Sequence, residues 1–164
     1  MDEMPLLAET HLSAERDTVA LGAALGKLAR PGDVFALRGP LGAGKTTLAR
    51  GFIAARVDPT EDVVSPTFTL VQVYGADGHD ISAPIWHFDL YRLKGAEEIL
   101  ELGWEEALSG GISLVEWPDR LGPLLPALRL DVVLSTEKDG HRAALHGGAQ
   151  WKERIAAMKH DRKP

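Results

Sequence analysis

The chain contains no cysteine. That excludes a disulfide framework, a thiolate nucleophile and a thiolate metal site, and it agrees with a reducing compartment. Long hydrophobic runs are also missing, so no segment reads as a membrane span. The start, Met1-Asp2-Glu3-Met4-Pro5, has neither the basic nor the apolar region of a secretory signal, and a cytoplasmic protein is expected. Positive charge is in deficit: 18 Lys and Arg against 24 Asp and Glu leave a formal charge of −6. Such a chain is a poor candidate for wrapping nucleic acid through phosphate contacts alone, although the total does not exclude a local basic patch. Repeats, low-complexity tracts and linker-like segments are absent too. With 164 residues, 45% of them hydrophobic, the chain is long enough and apolar enough for one domain with its own core, spanning 1–164.

Against these absences stands one complete motif. Gly39-Pro40-Leu41-Gly42-Ala43-Gly44-Lys45-Thr46 spells the phosphate-binding loop G-x-x-x-x-G-K-[ST]. Its glycines let the backbone curl so that successive N–H groups point at an anion. Lys45 places a cation against the β- and γ-phosphates, and the Thr46 hydroxyl suits Mg²⁺. The flanks agree. Val34-Phe35-Ala36-Leu37 is an apolar run of strand length, and Lys45 to Ala55 reads as a helix with Leu48, Phe52, Ile53 and Ala55 available to pack. Strand, glycine loop and helix start, in that order, are the context the motif requires.

The remaining pattern predicts alternating helices and strands, hence an α/β fold: a P-loop NTPase-like domain with a mixed β-sheet flanked by helices. Leu6 to Leu12 reads as an edge strand. Ser13 reads as the N-cap of a helix with Glu15 in its first turn, stopped by Pro31-Gly32. Strands are expected at Phe68 to Tyr74 and Ile85 to Asp89, paired as a hairpin across a polar loop from Gly75 to Pro84. Short helices follow at Ala96 to Leu102 and Trp104 to Leu108, broken at Gly103, then a buried strand Ile112 to Val115 ending in Glu116. Leu128 to Leu134 and Arg142 to Leu145 suggest two strands with a turn at Asp139-Gly140, and Gln150 to Met158 a terminal helix.

A phosphate loop binds nucleotide but does not alone cleave it; metal support and a group to position water are also needed. Glu116 is the metal candidate, because a buried strand delivers a carboxylate at its C-terminal edge, where ligands gather in such sheets. The usual residue there is Asp; Glu adds a methylene, and an ion held through water becomes an option. In His87-Phe88-Asp89-Leu90-Tyr91-Arg92, strand alternation sets His87, Asp89 and Tyr91 on one face and Phe88 and Leu90 on the other. Asp89 can orient water or hold a metal-bound water, and Arg92 can meet a phosphate or an acid. A lone histidine on a strand is more often a satisfied structural residue, the reading favoured for His87. In Ser65-Pro66-Thr67-Phe68-Thr69 a hydroxyl can reach a γ-phosphate or Mg²⁺, or the proline simply opens a turn into a strand. Trp117 packs beside the site or in the core; Trp86, Trp104 and Trp151 read as packing residues. No Asn-Lys-x-Asp guanine-reading motif is present, which disfavours a GTPase, and no arginine-rich lid of the kind seen in small nucleotide kinases.

In combination, GPLGAGKTT (39–47), SPTFTL (65–70), HFDLYRL (87–93) and LVEWP (114–118) resemble the TsaE family, also called YjeE: small bacterial ATPases of tRNA threonylcarbamoyladenosine biosynthesis. The resemblance spans roughly Ser13 to Pro118 and implies roles by position. Gly39, Leu41, Gly42, Ala43, Gly44, Lys45, Thr46 and Thr47 would hold the ATP phosphates, and Thr46 and Glu116 the Mg²⁺. Thr67 resembles a switch threonine, Asp89 the acid of hydrolysis and Trp117 a tryptophan beside the site, while Glu15 and Thr18 would lie near the base. It further implies action on the proteins TsaB and TsaD, with tRNA met only through that complex and no membrane. It leaves open a monomer or nucleotide-dependent self-association. A small-molecule kinase and a nucleotide sensor without significant hydrolysis use nearly the same residues and remain the alternatives.

Overall fold

A computed structural model describes residues 4–57, 66, 69–75 and 83–161, with side chains as far as 158. Its seven strands are β1 (Leu6–Leu12), β2 (Val34–Arg38), β3 (Val71–Tyr74), β4 (Ile85–Asp89), β5 (Ile112–Glu116), β6 (Leu130–Glu137) and β7 (Gly140–His146). They form one sheet in the order β1-β7-β6-β2-β5-β4-β3. The centre, β6-β2-β5-β4, is parallel, and β7, β1 and β3 are added antiparallel. The mixed sheet flanked by helices is therefore the architecture the sequence predicts. β2 and β5 are near-continuous apolar runs because both of their faces are covered.

Helices α1 (Glu15–Leu28), α2 (Lys45–Ala54) and α5 (Ala149–Asp161) cover one face. There Phe35 of β2 meets Phe52 at 4.9 Å and Trp151 at 5.3 Å, both edge-on. Helices α3 (Glu98–Glu101) and α4 (Trp104–Gly110), with a 3-10 turn at Pro118–Leu124, pack Ile99, Trp104 and Leu121 against Val34, Phe88 and Val115 on the other. Trp86, Trp104 and Trp151 are all core residues. Among the described residues no helix is long and apolar enough to cross a membrane.

Several boundaries differ from the sequence reading. The N-cap of α1 is Ala14, not Ser13. Asp17, three residues into the helix, accepts both the Ala14 N–H at 3.0 Å and the Ser13 hydroxyl at 2.9 Å, so capping comes from inside the first turn. β3 begins at Val71, because Leu70 takes a left-handed φ of 68° and donates its N–H to the Pro66 carbonyl at 2.7 Å. The Pro118–Leu124 turn was not predicted: its two prolines and one glycine show no helical periodicity. Thr67, and most of the expected Gly75–Pro84 loop, lie outside the described residues.

α1 and α2 pack backbone to backbone. A Cβ on Gly22 would sit 2.1 Å from the Leu48 carbonyl oxygen, and one on Gly51 would sit 2.2 Å from that of Val19. Neither backbone can yield without moving a helix. Gly51→Ala is expected to cost about 1–3 kcal/mol as overpacking, lowering the thermal midpoint by about 2–4 °C per kcal/mol. Gly110→Ala, where a Cβ meets nothing within 4 Å, serves as the control and should not lower the midpoint in the same melts.

Candidate functional site

Register assembles the site. Leu37 of β2 lies beside Glu116 of β5, and Glu116 beside Asp89 of β4, all at the C-terminal ends of parallel strands. Alternation along each strand turns Glu116 and Asp89 to the face covered by α2. The chain leaves β2 through Gly39 and enters α2 at Lys45, so the glycine loop closes over that edge. Leu41, Gly42, Gly44, Lys45, Thr46, Thr47, Asp89, Glu116 and Trp117 line a cleft of about 280 Å³ there. The first N–H groups of α2 have no intrahelical acceptor and carry the positive end of the helix dipole, a ready anion seat. Gly44, the N-cap, has φ +105°, a conformation a side chain would strain, and the Thr18 methyl would lie 3.4 Å from a Cβ there.

The charged groups are nearly dry. Lys45 is 5% exposed, Asp89 5% and Glu116 3%. The Lys45 ammonium donates to the carbonyls of Gly39 and, at 3.2 Å, of Pro40. It also sits 3.7 Å from the centre of the Trp117 ring, a cation–π contact. The Thr46 hydroxyl donates toward both oxygens of Glu116, at 3.2 and 3.3 Å. On its far side Glu116 meets the His87 Nε2 at 2.6 Å. Asp89 accepts the backbone N–H of Tyr91 at 3.1 Å. The Thr46–Glu116 pair is an all-oxygen donor set that fits Mg²⁺. Among the described residues no three His, Cys, Asp or Glu gather into a cage, so such an ion would draw its other ligands from water and phosphate.

Trp117 owes its place to strain. Its backbone is left-handed at φ 60°, ψ 51°, rare for a bulky residue and made here between Glu116 and Pro118. That twist swings the ring over Lys45, where Tyr91 packs against it at 5.1 Å between centroids. Tyr91 lies beyond the end of β4 and is exposed.

Four other residues singled out in the sequence, Gly39, Ala43, Thr18 and Glu15, are not in the lining of this cleft, and Thr67 is outside the described residues. Gly39 contributes its carbonyl to Lys45, and Ala43 is buried in the core. Thr18 is buried behind Gly44, and Glu15 is on the exposed first turn of α1, 3.9 Å from Arg50. His87 was read as structural, yet it touches Glu116; the clue lay in its facing the same way as Asp89. His141 was missed altogether: its Nε2 is 3.2 Å from the Gly42 carbonyl. Its place depends on β6, the hairpin partner of its strand, lying beside β2, a long-range pairing that no local signal reveals.

Burial pushes the Lys45 ammonium below the usual lysine value of 10.5, and the Glu116 and Asp89 carboxylates oppose part of that shift. A polyanion in the cleft favours the charged form and raises the value again, so binding is coupled to keeping that proton. Tripolyphosphate affinity, followed by calorimetry, is therefore expected to fall as pH rises through the lowered Lys45 value, below 10.5. Lys45→Arg, charged throughout, should remove the fall; a wild-type affinity flat to that pH would contradict it.

Comparison with known proteins agrees with this layout. The family model described as "Threonylcarbamoyl adenosine biosynthesis protein TsaE" matches residues 12–144. A Rickettsia conorii protein named "tRNA threonylcarbamoyladenosine biosynthesis protein TsaE" is 40% identical over 131 residues, 80% of this chain and 73% of that one. A Bacillus subtilis protein of the same name is 39% identical over 127 residues, 77% of this chain and 76% of its own. The crystal structure of Bacillus subtilis YdiB superposes with a TM-score of 0.77 at 26% identity, covering 99% of this chain and all of that one. With the phosphate loop, the Glu116 strand end and a family match reaching from β1 into β7, the chain belongs to the TsaE family.

Proposed function

We propose that this chain is a Mg²⁺-dependent ATPase that serves tRNA N6-threonylcarbamoyladenosine formation at position 37 by acting on the TsaB–TsaD complex. The supporting observation is the gathering of Lys45, Thr46, Glu116 and Asp89 around one cleft at the start of α2. The names of the relatives supply the pathway, and the resemblance of the motifs supplies the two partners. The preference for adenine rests on the resemblance of the motifs, together with the lack of a guanine-reading motif in the sequence.

The loop amides and the start of α2 receive the phosphates, and Lys45 leaves the Gly39 and Pro40 carbonyls to pair with the γ-phosphate. Thr46 and Glu116 would hold Mg²⁺, which would supply neutralisation of the phosphate charge. Asp89 orients a water whose oxygen bonds to the γ-phosphorus as the bond to the β–γ bridging oxygen breaks, giving ADP and phosphate. Thr67 senses the γ-phosphate. Trp117 keeps bulk water off the Lys45 side of the cleft. Hydrolysis resets the complex for another turnover.

The test is phosphate release from ATP with Mg²⁺, first by the protein alone and then with TsaB and TsaD. Slow release that rises with the pair is expected. Lys45→Ala removes a charge-assisted contact of about 1.5–3 kcal/mol and should weaken ATP binding about 10- to 100-fold; near-normal affinity would overturn the assignment of Lys45. Phosphorylated metabolite in place of free phosphate would make the chain a kinase. No release in either condition, with ATP and both partners bound, would make it a sensor.

A further inference from the structure

We infer that His87 is a positioning residue for the metal-binding carboxylate: buried on β4, it donates to Glu116 and fixes the direction in which that carboxylate faces. The inference rests on the Mg²⁺–nucleotide reading above and adds a residue to it.

His87 is 0% exposed. In the sheet its direct neighbour on β5 is Leu114, and the ring reaches one pleat further along the same face to Glu116. The Nε2 to Oε2 distance of 2.6 Å is that of a short, direct hydrogen bond. The other ring nitrogen, Nδ1, has no hydrogen-bond partner among the described residues. The tautomer that serves Glu116 carries its proton on Nε2, the nitrogen that faces the carboxylate. That contact orients the carboxylate from behind and leaves its other side to the cleft.

The chemistry of Glu116 shows why a partner is needed. Glutamate has one more rotatable bond than the aspartate usual at such a strand end, so its carboxylate is the less well directed of the two. Here it is gripped from behind by His87 and from the cleft by Thr46, whose hydroxyl spans both oxygens at 3.2 and 3.3 Å. When an ion takes the Thr46 side, His87 is the contact that remains. Partners that orient a metal ligand from behind in this way are typically worth 10- to 100-fold in metal affinity.

The probe is Mn²⁺, its binding to the complex of the protein with a non-hydrolysable ATP analogue followed by electron paramagnetic resonance. His87→Leu, similar in bulk but without a donor, should weaken Mn²⁺ about 10- to 100-fold and leave metal-free analogue binding close to wild type. His87→Gln, which returns an N–H at the reach of Nε2, should recover most of the loss; a purely packing role predicts no such rescue. Unchanged Mn²⁺ affinity in His87→Leu, or an equal loss of metal-free analogue binding, overturns the inference. If His87→Leu does not fold, His87→Asn, too short to reach Glu116, is compared with His87→Gln, and equal Mn²⁺ affinities overturn it. Wild-type protein that takes up no Mn²⁺ with the analogue bound overturns the Mg²⁺ reading and this inference with it, a result distinct from a wild type that binds and a variant that matches it.

Discussion

Three parts of the chain far apart in sequence meet at the Glu116 carboxylate. Thr46 reaches it from the start of α2, His87 from β4, and its own strand β5 holds it beside Asp89. The parallel register of β2, β5 and β4 makes this meeting possible: a shift of one residue in β5 would turn Glu116 to the opposite face of the sheet and take from Lys45 one of its two acidic neighbours. The core enforces that register, because Ile112 and Leu114 share the face of Glu116 and are buried in the layer beneath α1, α2 and α5. The apolar pattern of the strand and the charge at its end are thus one constraint.

Two local expenses serve the same site. The glycine contacts between α1 and α2 give up side-chain burial to let the two backbones touch, and that approach seats Thr18 behind Gly44 at the base of the loop. The left-handed backbone of Trp117 costs about 1–3 kcal/mol and places an aromatic face on the Lys45 ammonium. The Trp117 distortion sits in the lining of the cleft itself.

Much of this was legible in the sequence because the signals were local. The phosphate loop announces itself by spacing, and β2, β4 and β5 by short apolar runs of the observed length. The antiparallel β3–β4 hairpin and the break at Gly103, which has φ +94°, followed from the same kind of reading. What escaped depends on contacts distant in sequence. His87 looks like any strand histidine until β5 brings Glu116 within 2.6 Å. His141 is 99 residues from the Gly42 it touches. The cap of α1 was misplaced by one residue because Asp17, a later side chain, supplies the acceptor. Strain at Trp117 has no sequence signature, since tryptophan is not a residue that favours a left-handed backbone.

The central claim is that Glu116 couples Mg²⁺ to nucleotide in the cleft beside Lys45. It is tested most directly by measuring ATP affinity with and without Mg²⁺ for the wild type and Glu116→Ala. The account predicts that Mg²⁺ tightens ATP binding by the wild type, that Glu116→Ala loses most of that gain, and that their metal-free affinities are alike. An equal gain from Mg²⁺ in both proteins would contradict it.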